Sequence, residues 1–272
     1  GYLHLKNIFN EKEINSFRDY ILQNLSDENN IKEIKSDLLS DKFFNDLLLD
    51  DRILGIFNSL LGSTPVYFGD SNWTILNNDA TGTYHSDNVD RYRNGPDWED
   101  KKYPIIRYGL YLQDHKNNGG GIILGGKSHK KFIKNKYIKN IYQEIIALFN
   151  GNFKYMDSQI GDLIIWNLKT THSATGQFFK FFKKPISYKI SKFIPNFLKS
   201  KSPKNRIMIS ATFAKEGISL NRYIDHLKKR KYSVENYLNQ NIDEMTINKL
   251  NSKNVKYLNI HEEVKKDIKN KK

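Results

Sequence analysis

The feature that most constrains the fold of this 272-residue chain is a series of short β-rich runs between Val66 and Ala214. Glycine, asparagine and aspartate separate the runs. They are VYF (66–68), WTIL (73–76), IIRYGLYL (105–112), GIIL (121–124), DLIIW (162–166) and RIMISATFA (206–214). Many short strands with turn residues between them predict a sandwich or barrel rather than alternating βαβ units.

Helical patterns flank this β-rich region. Residues 1–62 are predicted to be helical, because Asn10 and Glu13 resemble a capping box and apolar residues then recur at helical spacing. An amphipathic helix is predicted from Tyr137 to Phe149, inside the β-rich region, and a charged helical extension over 217–272. We therefore expect one domain over the whole chain, with N-terminal helices, a β core at 63–216 and a C-terminal helical extension.

Composition limits the chemistry and the location. The chain has no cysteine, which excludes disulfides, thiolate metal sites and cysteine nucleophiles and leaves histidine and carboxylates as the strong metal ligands. No apolar run approaches the ~20 residues that span a bilayer. The first residues, GYLHLKNIF, lack the basic start and long apolar core of a signal peptide. We expect a cytoplasmic protein.

The net charge of +14 suits a nucleic acid, an anionic membrane or an acidic substrate. A genome that favours Lys, Asn and Ile would produce the same charge without any such partner. The lysines are not arranged as a helix or sheet platform and no nucleic-acid motif is present, so we expect no nucleic-acid partner. The pattern gives no oligomeric state.

Two histidines and one aspartate form the candidate metal site. His85 and Asp87 are two residues apart, so on an extended strand their side chains point to the same side. His172 follows the buried run DLIIW much later in the chain. Two histidines and one carboxylate on one face of a metal suit non-haem Fe(II) oxygen chemistry, although zinc hydrolases use similar ligands. Taken alone, His85 could equally be an ordinary surface histidine.

A candidate anion-binding pair lies on the last β-rich run. Arg206 begins RIMISATFA, and a guanidinium there could hold the far carboxylate of a dicarboxylate in a bidentate contact. Ser210 lies on the same strand face by two-residue alternation and could add a hydroxyl contact. Taken alone, Arg206 could equally be a plain arginine at a strand edge.

Together these segments resemble the phytanoyl-CoA dioxygenase family of Fe(II)/2-oxoglutarate oxygenases over roughly residues 1–215. GYLHLKNIFNEKEINSFRDYI is similar to the family's opening strand and helix, and YHSD to the segment with its first two iron ligands. LQDHKNNGGGIILGGKSHK (112–130), GDLIIWNLKTTHSA and NRIMISATFA are similar to three later family segments, and all five occur in the family's order.

This resemblance implies a double-stranded β-helix, or jelly roll, with flanking helices. It implies that His85, Asp87 and His172 bind Fe(II), that Arg206 binds 2-oxoglutarate, and that O₂ is the third reactant. Related halogenases have a small residue in place of the carboxylate, so Asp87 favours hydroxylation of a substrate C–H bond. The chain departs from the family in the long segment between His172 and Arg206.

This departure is a lysine-rich insert at 178–204, which contains eight lysines and no acidic residue. We expect it to cover the site, to attract a small anionic substrate, such as a saccharide or lipid-linked molecule, or to touch an anionic membrane. It could equally be a solvated loop. The alternative function for the whole chain is a jelly-roll binding module without catalysis.

Overall fold

The structure is a computed structural model that describes residues 1–25, 34–76, 83–114, 121–130, 132, 152–174, 178–181, 186, 193–200, 206–240 and 242–269. Its strands are β1 (Tyr2–Leu5), β2 (Ile34–Ser36), β3 (Val66–Leu76), β4 (Ile105–Tyr111), β5 (Ile122–Gly125), β6 (Phe153–Tyr155), β7 (Leu163–Asn167), β8 (His172–Ala174), β9 (Arg206–Ala214) and β10 (Lys256–Tyr257). Its α-helices are α1 (Glu11–Gln23), α2 (Lys42–Leu48), α3 (Asp51–Leu61), α4 (Pro96–Glu99), α5 (Ile218–Leu227), α6 (Lys231–Leu238), α7 (Glu244–Ser252) and α8 (Ile260–Lys269).

Over the described residues the strands form two sheets. Seven strands make the larger sheet, in the order β1-β7-β4-β9-β3-β10 with β2 also paired to β3. The smaller sheet has the order β6-β5-β8, and both of its pairings are antiparallel. The β-rich runs predicted from the sequence therefore do form strands, and helices flank them on both sides along the chain.

In the N-terminal segment, the helical pattern of the sequence predicts helix α1 correctly but does not predict the strands on either side of it. The capping box is confirmed: Asn10 Oδ1 accepts from Glu13 N at 2.9 Å, and Glu13 Oε2 accepts from Asn10 N at 2.7 Å. The pattern-based prediction that 1–62 is helical is wrong at β1 and β2, whereas the opening strand and helix that the family resemblance implied are present as β1 and α1. β1 is extended because it pairs antiparallel with β7 from Tyr2↔Trp166 to Leu5↔Leu163, a long-range contact that no local pattern reports.

One strand replaces the two that were predicted at 66–68 and 73–76. β3 continues through Gly-Asp-Ser-Asn, residues that usually mark a turn. Gly69 takes a positive φ of 76°, which glycine adopts without strain. Two of the polar side chains have partners from distant parts of the chain: Asp70 accepts from Arg107 at 2.7 Å, and Asn72 accepts from Ser210 at 3.0 Å.

The chain divides into two compact units. One comprises Gly1–Glu33, Thr74–Lys101 and Tyr108–Ile209, and the other comprises Ile34–Trp73, Lys102–Arg107 and Ser210–Lys272. The core of the first includes a cluster of Tyr111, Ile122, Leu124, Met156, Ile164 and Trp166. The core of the second is rich in aromatic contacts, among them Phe57–Phe213, Tyr67–Phe213 and Phe68–Tyr223. A single domain over 1–272 stays a prediction.

The remaining fold predictions have mixed outcomes. Over its described residues, 217–240 and 242–269, the charged extension forms four helices as predicted, with the short strand β10 before the last one. The helix predicted from Tyr137 to Phe149 lies outside the described residues, as does much of 178–204. Within the part of the chain that the structure describes, every helix is too short or too polar to cross a membrane.

Candidate metal centre

The structure brings His85, Asp87 and His172 together. One ligand atom from each residue lies within 4.8 Å of the others. His85 Nε2 is 3.7 Å from Asp87 Oδ1, and His172 Nε2 is 3.6 Å from Asp87 Oδ2. One ion with bonds of about 2 Å can bridge atoms at nearly this spacing, so the three side chains form a candidate metal centre.

Backbone hydrogen bonds fix this arrangement. His85 and His172 form an isolated antiparallel bridge, with His85 N donating to His172 O at 2.9 Å and His172 N donating to His85 O at 2.7 Å. The two rings therefore lie side by side, with centroids 4.4 Å apart. Asp87 N donates to Leu168 O at 2.9 Å. This bond holds the aspartate beside the loop between β7 and β8, which leads to His172.

A hydrogen bond from Nδ1 orients the ring of each histidine. His85 Nδ1 is 2.7 Å from Thr83 O, and His172 Nδ1 is 3.0 Å from Thr170 O. A backbone carbonyl can only accept, so each Nδ1 carries a hydrogen, and Nε2, on the side of Asp87, is the nitrogen available to a metal ion. This is the tautomer that metal-binding histidines use, and such carbonyl contacts hold the ring in position.

The site is closed on one side and open on the other. His172 is buried, whereas the side chains of His85 and Asp87 are 35% and 17% exposed. The Trp166 ring covers the buried side, with its centroid 5.7 Å from that of His172. A small molecule can therefore approach from the side of His85.

Arg206 lies on the sheet face that Trp166 also occupies. A side chain at Gly109 would contact both Trp166, at 3.2 Å, and Met208, at 3.4 Å, so these residues of β4, β7 and β9 share one face. Arg206 precedes Met208 by two residues and therefore points the same way.

Burial raises the pKa of Tyr111, and the nearby charge of Arg206 acts in the opposite direction. Arg206 is thus buried close to the Tyr111 hydroxyl, which is part of the same apolar cluster as Trp166.

Ser210, the second residue predicted to contact a cosubstrate, is buried. Its hydroxyl donates to Asn72 Oδ1 at 3.0 Å, which is one of the contacts that keep β3 continuous. A cosubstrate contact from Ser210 stays a prediction.

A buried lysine that no sequence pattern indicated lies beside the metal centre. Lys169 is 2% exposed, and its ammonium donates to Asp97 O at 2.9 Å and Asp100 O at 2.6 Å. Burial lowers the pKa of Lys169, and the charges of Asp100 and Asp97 act against this effect. Lys169 therefore ties the loop before His172 to the end of α4. The neighbouring residues along the chain give no local signal that this lysine is buried.

The comparisons with known proteins concern the fold. No protein-family model and no curated protein matched the chain. Among solved structures, HygX from Streptomyces hygroscopicus with nickel and 2-oxoglutarate bound is similar over 80% of this chain and 84% of HygX, at 15% identity and a TM-score of 0.57. EctD from S. alaskensis with 2-oxoglutarate and 5-hydroxyectoine is similar over 79% and 72%, at 13% identity and 0.55. SnoN, a non-heme alpha ketoglutarate dependent epimerase from nogalamycin biosynthesis, is similar over 79% and 76%, at 14% identity and 0.54.

At sequence identities of 13–15%, structural similarity shows the fold and not the function. The chain has the jelly-roll core with flanking helices that these enzymes share, which confirms the predicted fold class. Membership of the phytanoyl-CoA dioxygenase family stays a prediction, and so do the roles of the individual site residues.

The residues present fit an iron centre that also binds a small acidic molecule. Two imidazoles and one carboxylate are a set that non-haem Fe(II) accepts, and such a set leaves positions open for other ligands. Trp166 Nε1 is buried and has no hydrogen-bond partner among the described residues. Buried N–H groups are rarely left unbonded. An acceptor oxygen beside His172 would satisfy this one.

Proposed function

We propose that this protein is an Fe(II)- and 2-oxoglutarate-dependent oxygenase that hydroxylates a C–H bond of a small anionic molecule. The observation that carries the proposal is the convergence of His85, Asp87 and His172, with both Nε2 atoms directed at the carboxylate. The similar structures support it, because HygX and EctD contain 2-oxoglutarate and another HygX structure contains iron.

The protein residues would have separate tasks. His85, Asp87 and His172 hold the iron, and the carbonyls of Thr83 and Thr170 keep both rings in the required orientation. The bound iron and 2-oxoglutarate, together with O₂, supply the oxidising power through decarboxylation of the cosubstrate.

Arg206 and Trp166 would complete the cosubstrate site. The guanidinium of Arg206 matches the geometry of a carboxylate, and its burial strengthens such a contact because water does not compete for it. The Trp166 N–H supplies a donor next to His172. These groups bind and orient the cosubstrate, while the apolar cluster around Trp166 excludes water.

Hydroxylation is the reaction type we propose because Asp87 fills the third ligand position. Similar folds support other outcomes: SnoN is an epimerase, and SnoK is a carbocyclase. An anionic substrate is proposed because the insert at 178–204 has eight lysines and no acidic residue. In the sequence this insert lies between the metal ligand His172 and Arg206. A cytoplasmic location stays a prediction.

Conversion of 2-oxoglutarate to succinate tests the proposal without knowledge of the substrate. The full chain should produce succinate with Fe(II) under air, and not with Zn(II) in its place. His172→Ala should reduce this turnover to background because it removes a ligand. His226→Ala, in α5, is the matched control and should retain it.

Two results would contradict the proposal. Full turnover by His172→Ala would exclude this residue as a ligand. A correctly folded wild-type protein with no Fe(II)-dependent turnover would favour the alternative, a jelly-roll binding module.

A further inference from the structure

The insert at 178–204, called here the basic insert, is closed at its base. Phe179 and Lys199 form an isolated antiparallel bridge. Lys180 N donates to Leu198 O at 2.8 Å, and Ser200 N donates to Phe178 O at 2.8 Å. The two ends of the basic insert are therefore held next to each other.

This base is attached to the smaller sheet. Phe178 is buried, and its ring meets the Tyr155 ring edge-on at 5.0 Å. Tyr155 belongs to β6, which pairs with β5, and Leu124 of β5 is the register partner of His172 in β8. The base of the insert therefore packs, through Phe178, against the sheet that also contains the distal histidine.

Among the described residues of the basic insert, three phenylalanines are exposed to solvent. Phe181, Phe193 and Phe197 are 69%, 85% and 72% exposed. Phe181 lies two residues after Phe179, and Phe197 lies two residues before Lys199. Both rings are therefore next to the bridge pair, and their exposure puts them on the outer side of the base, unlike the buried Phe178. Phe193 is only four residues from Phe197 along the chain. Exposed rings grouped in one segment indicate a surface that binds a partner, because burial of each ring is strongly favourable.

The charge of the basic insert indicates which partner. Its eight lysines are interleaved with phenylalanine, isoleucine and leucine, and no acidic residue is present. A soluble anion would need the lysines but not the exposed rings. A single-stranded nucleic acid would use rings and lysines, but the aliphatic residues offer nothing to base stacking. Aromatic and aliphatic residues interleaved with lysines along the sequence fit the interface of an anionic membrane.

We propose that the basic insert docks on an anionic lipid bilayer. Phe181, Phe193 and Phe197 enter the interface between headgroups and acyl chains, and the lysines bind anionic headgroups. A further step rests on the proposed function: because the base packs against the sheet that carries His172, docking holds the metal centre close to the membrane. The substrate would then be an anionic molecule carried by the membrane.

Vesicle sedimentation with the full chain tests the docking. The protein should bind vesicles of phosphatidylcholine mixed with phosphatidylserine and should bind pure phosphatidylcholine much more weakly. The triple variant Phe181→Ser/Phe193→Ser/Phe197→Ser should lose roughly 100-fold in partitioning, about fivefold for each ring. High salt should weaken binding of the wild type by screening the lysines.

A matched control separates the basic insert from general stickiness. Ile218→Ser/Met245→Ser removes two apolar side chains that are also highly exposed but lie outside the insert. This variant should bind anionic vesicles like the wild type. Phe193→Trp should add a blue-shifted fluorescence component with anionic vesicles only, because the new indole enters the interface.

Several outcomes would overturn the proposal. They are equal binding to both vesicle types, undiminished binding by the triple variant, an equal loss in the control variant, or binding to single-stranded RNA with no binding to vesicles. The sedimentation is performed without iron or 2-oxoglutarate, and succinate production is measured on the same protein. Failure of docking can therefore be distinguished from failure of the proposed enzyme activity.

Discussion

Replacing Asp37 with asparagine should change how the stability of this protein depends on pH. Asp37 is 1% exposed, and its Oδ1 accepts from Tyr67 Oη at 2.5 Å and from Leu39 N at 3.1 Å. Burial raises the pKa of Asp37 from 3.8 to about 6, although these hydrogen bonds oppose the rise. The charged form is therefore disfavoured in the folded protein.

The size and sign of the effect follow from this pKa. Below pH 3.8 both the folded and the unfolded chain hold the proton. Between pH 3.8 and about 6 the unfolded chain releases it first, so the free energy of unfolding falls as pH rises. At 1.36 kcal/mol per pH unit, the loss above pH 6 is about 3 kcal/mol. The asparagine side chain in the variant has no proton to lose, so the variant should not show this loss.

Urea unfolding of both proteins at pH 4 and pH 7.5 measures the difference. The stability of Asp37→Asn relative to wild type should increase by about 2.5 kcal/mol between these two pH values, because a small part of the loss has already occurred at pH 4. Asparagine suits this position because Asp37 has a positive φ of 49°, a conformation that asparagine readily adopts.

Asp243→Asn is the control and should show almost no change relative to wild type between pH 4 and pH 7.5, because the pKa of Asp243 is shifted in the opposite direction. Hydrogen bonds from Thr246 lower the pKa of Asp243 to about 2, so its contribution to stability is lost only as the pH falls below about 4. If the difference between Asp37→Asn and wild type were the same at pH 4 and pH 7.5, the assignment of Asp37 as a carboxyl with a raised pKa would be wrong.

Three further substitutions test the site and the fold. Arg206→Ala should raise the KM for 2-oxoglutarate roughly 10- to 100-fold without changing iron affinity; a normal KM would assign the cosubstrate to another cation. Asp87→Ala should weaken iron binding and stop substrate hydroxylation, and unchanged hydroxylation would exclude the carboxylate as a ligand. Gly161→Ala should destabilise the fold by at least about 2 kcal/mol in urea unfolding, because φ is +86° and the added Cβ would lie 1.9 Å from Phe9 O. Gly55→Ala, in the exposed middle of α3 with no atom within 4 Å, is its control and should stabilise by up to about 1 kcal/mol.

The His85 and Asp87 part of the metal centre could be predicted from the sequence because it depends on a local rule. The approach of His172 depends instead on a long-range bridge that only the family resemblance implied. Alternation along an extended segment places His85 and Asp87 on the same side, and the apolar run before His172 identifies the buried strand β7. β9 likewise coincides with the predicted run RIMISATFA, since β-branched and other apolar residues fill it.

Other features depend on contacts between distant residues, which no single segment reveals. β3 continues through Asp70 because Arg107 pairs with it. Lys169 is buried because the carbonyls at the end of α4 accept its hydrogen bonds. The Trp166 indole beside His172 packs closely over Gly109 of another strand, where an added Cβ would lie 3.2 Å from the ring.

The most direct test of the central claim is a crystal structure of the full chain grown without oxygen in the presence of Fe(II) and 2-oxoglutarate. Anomalous scattering at the iron edge should show one ion per chain within bonding distance of His85 Nε2, His172 Nε2 and Asp87, with 2-oxoglutarate bound to it and to Arg206. An iron peak elsewhere, or 2-oxoglutarate bound away from the iron, would contradict the account.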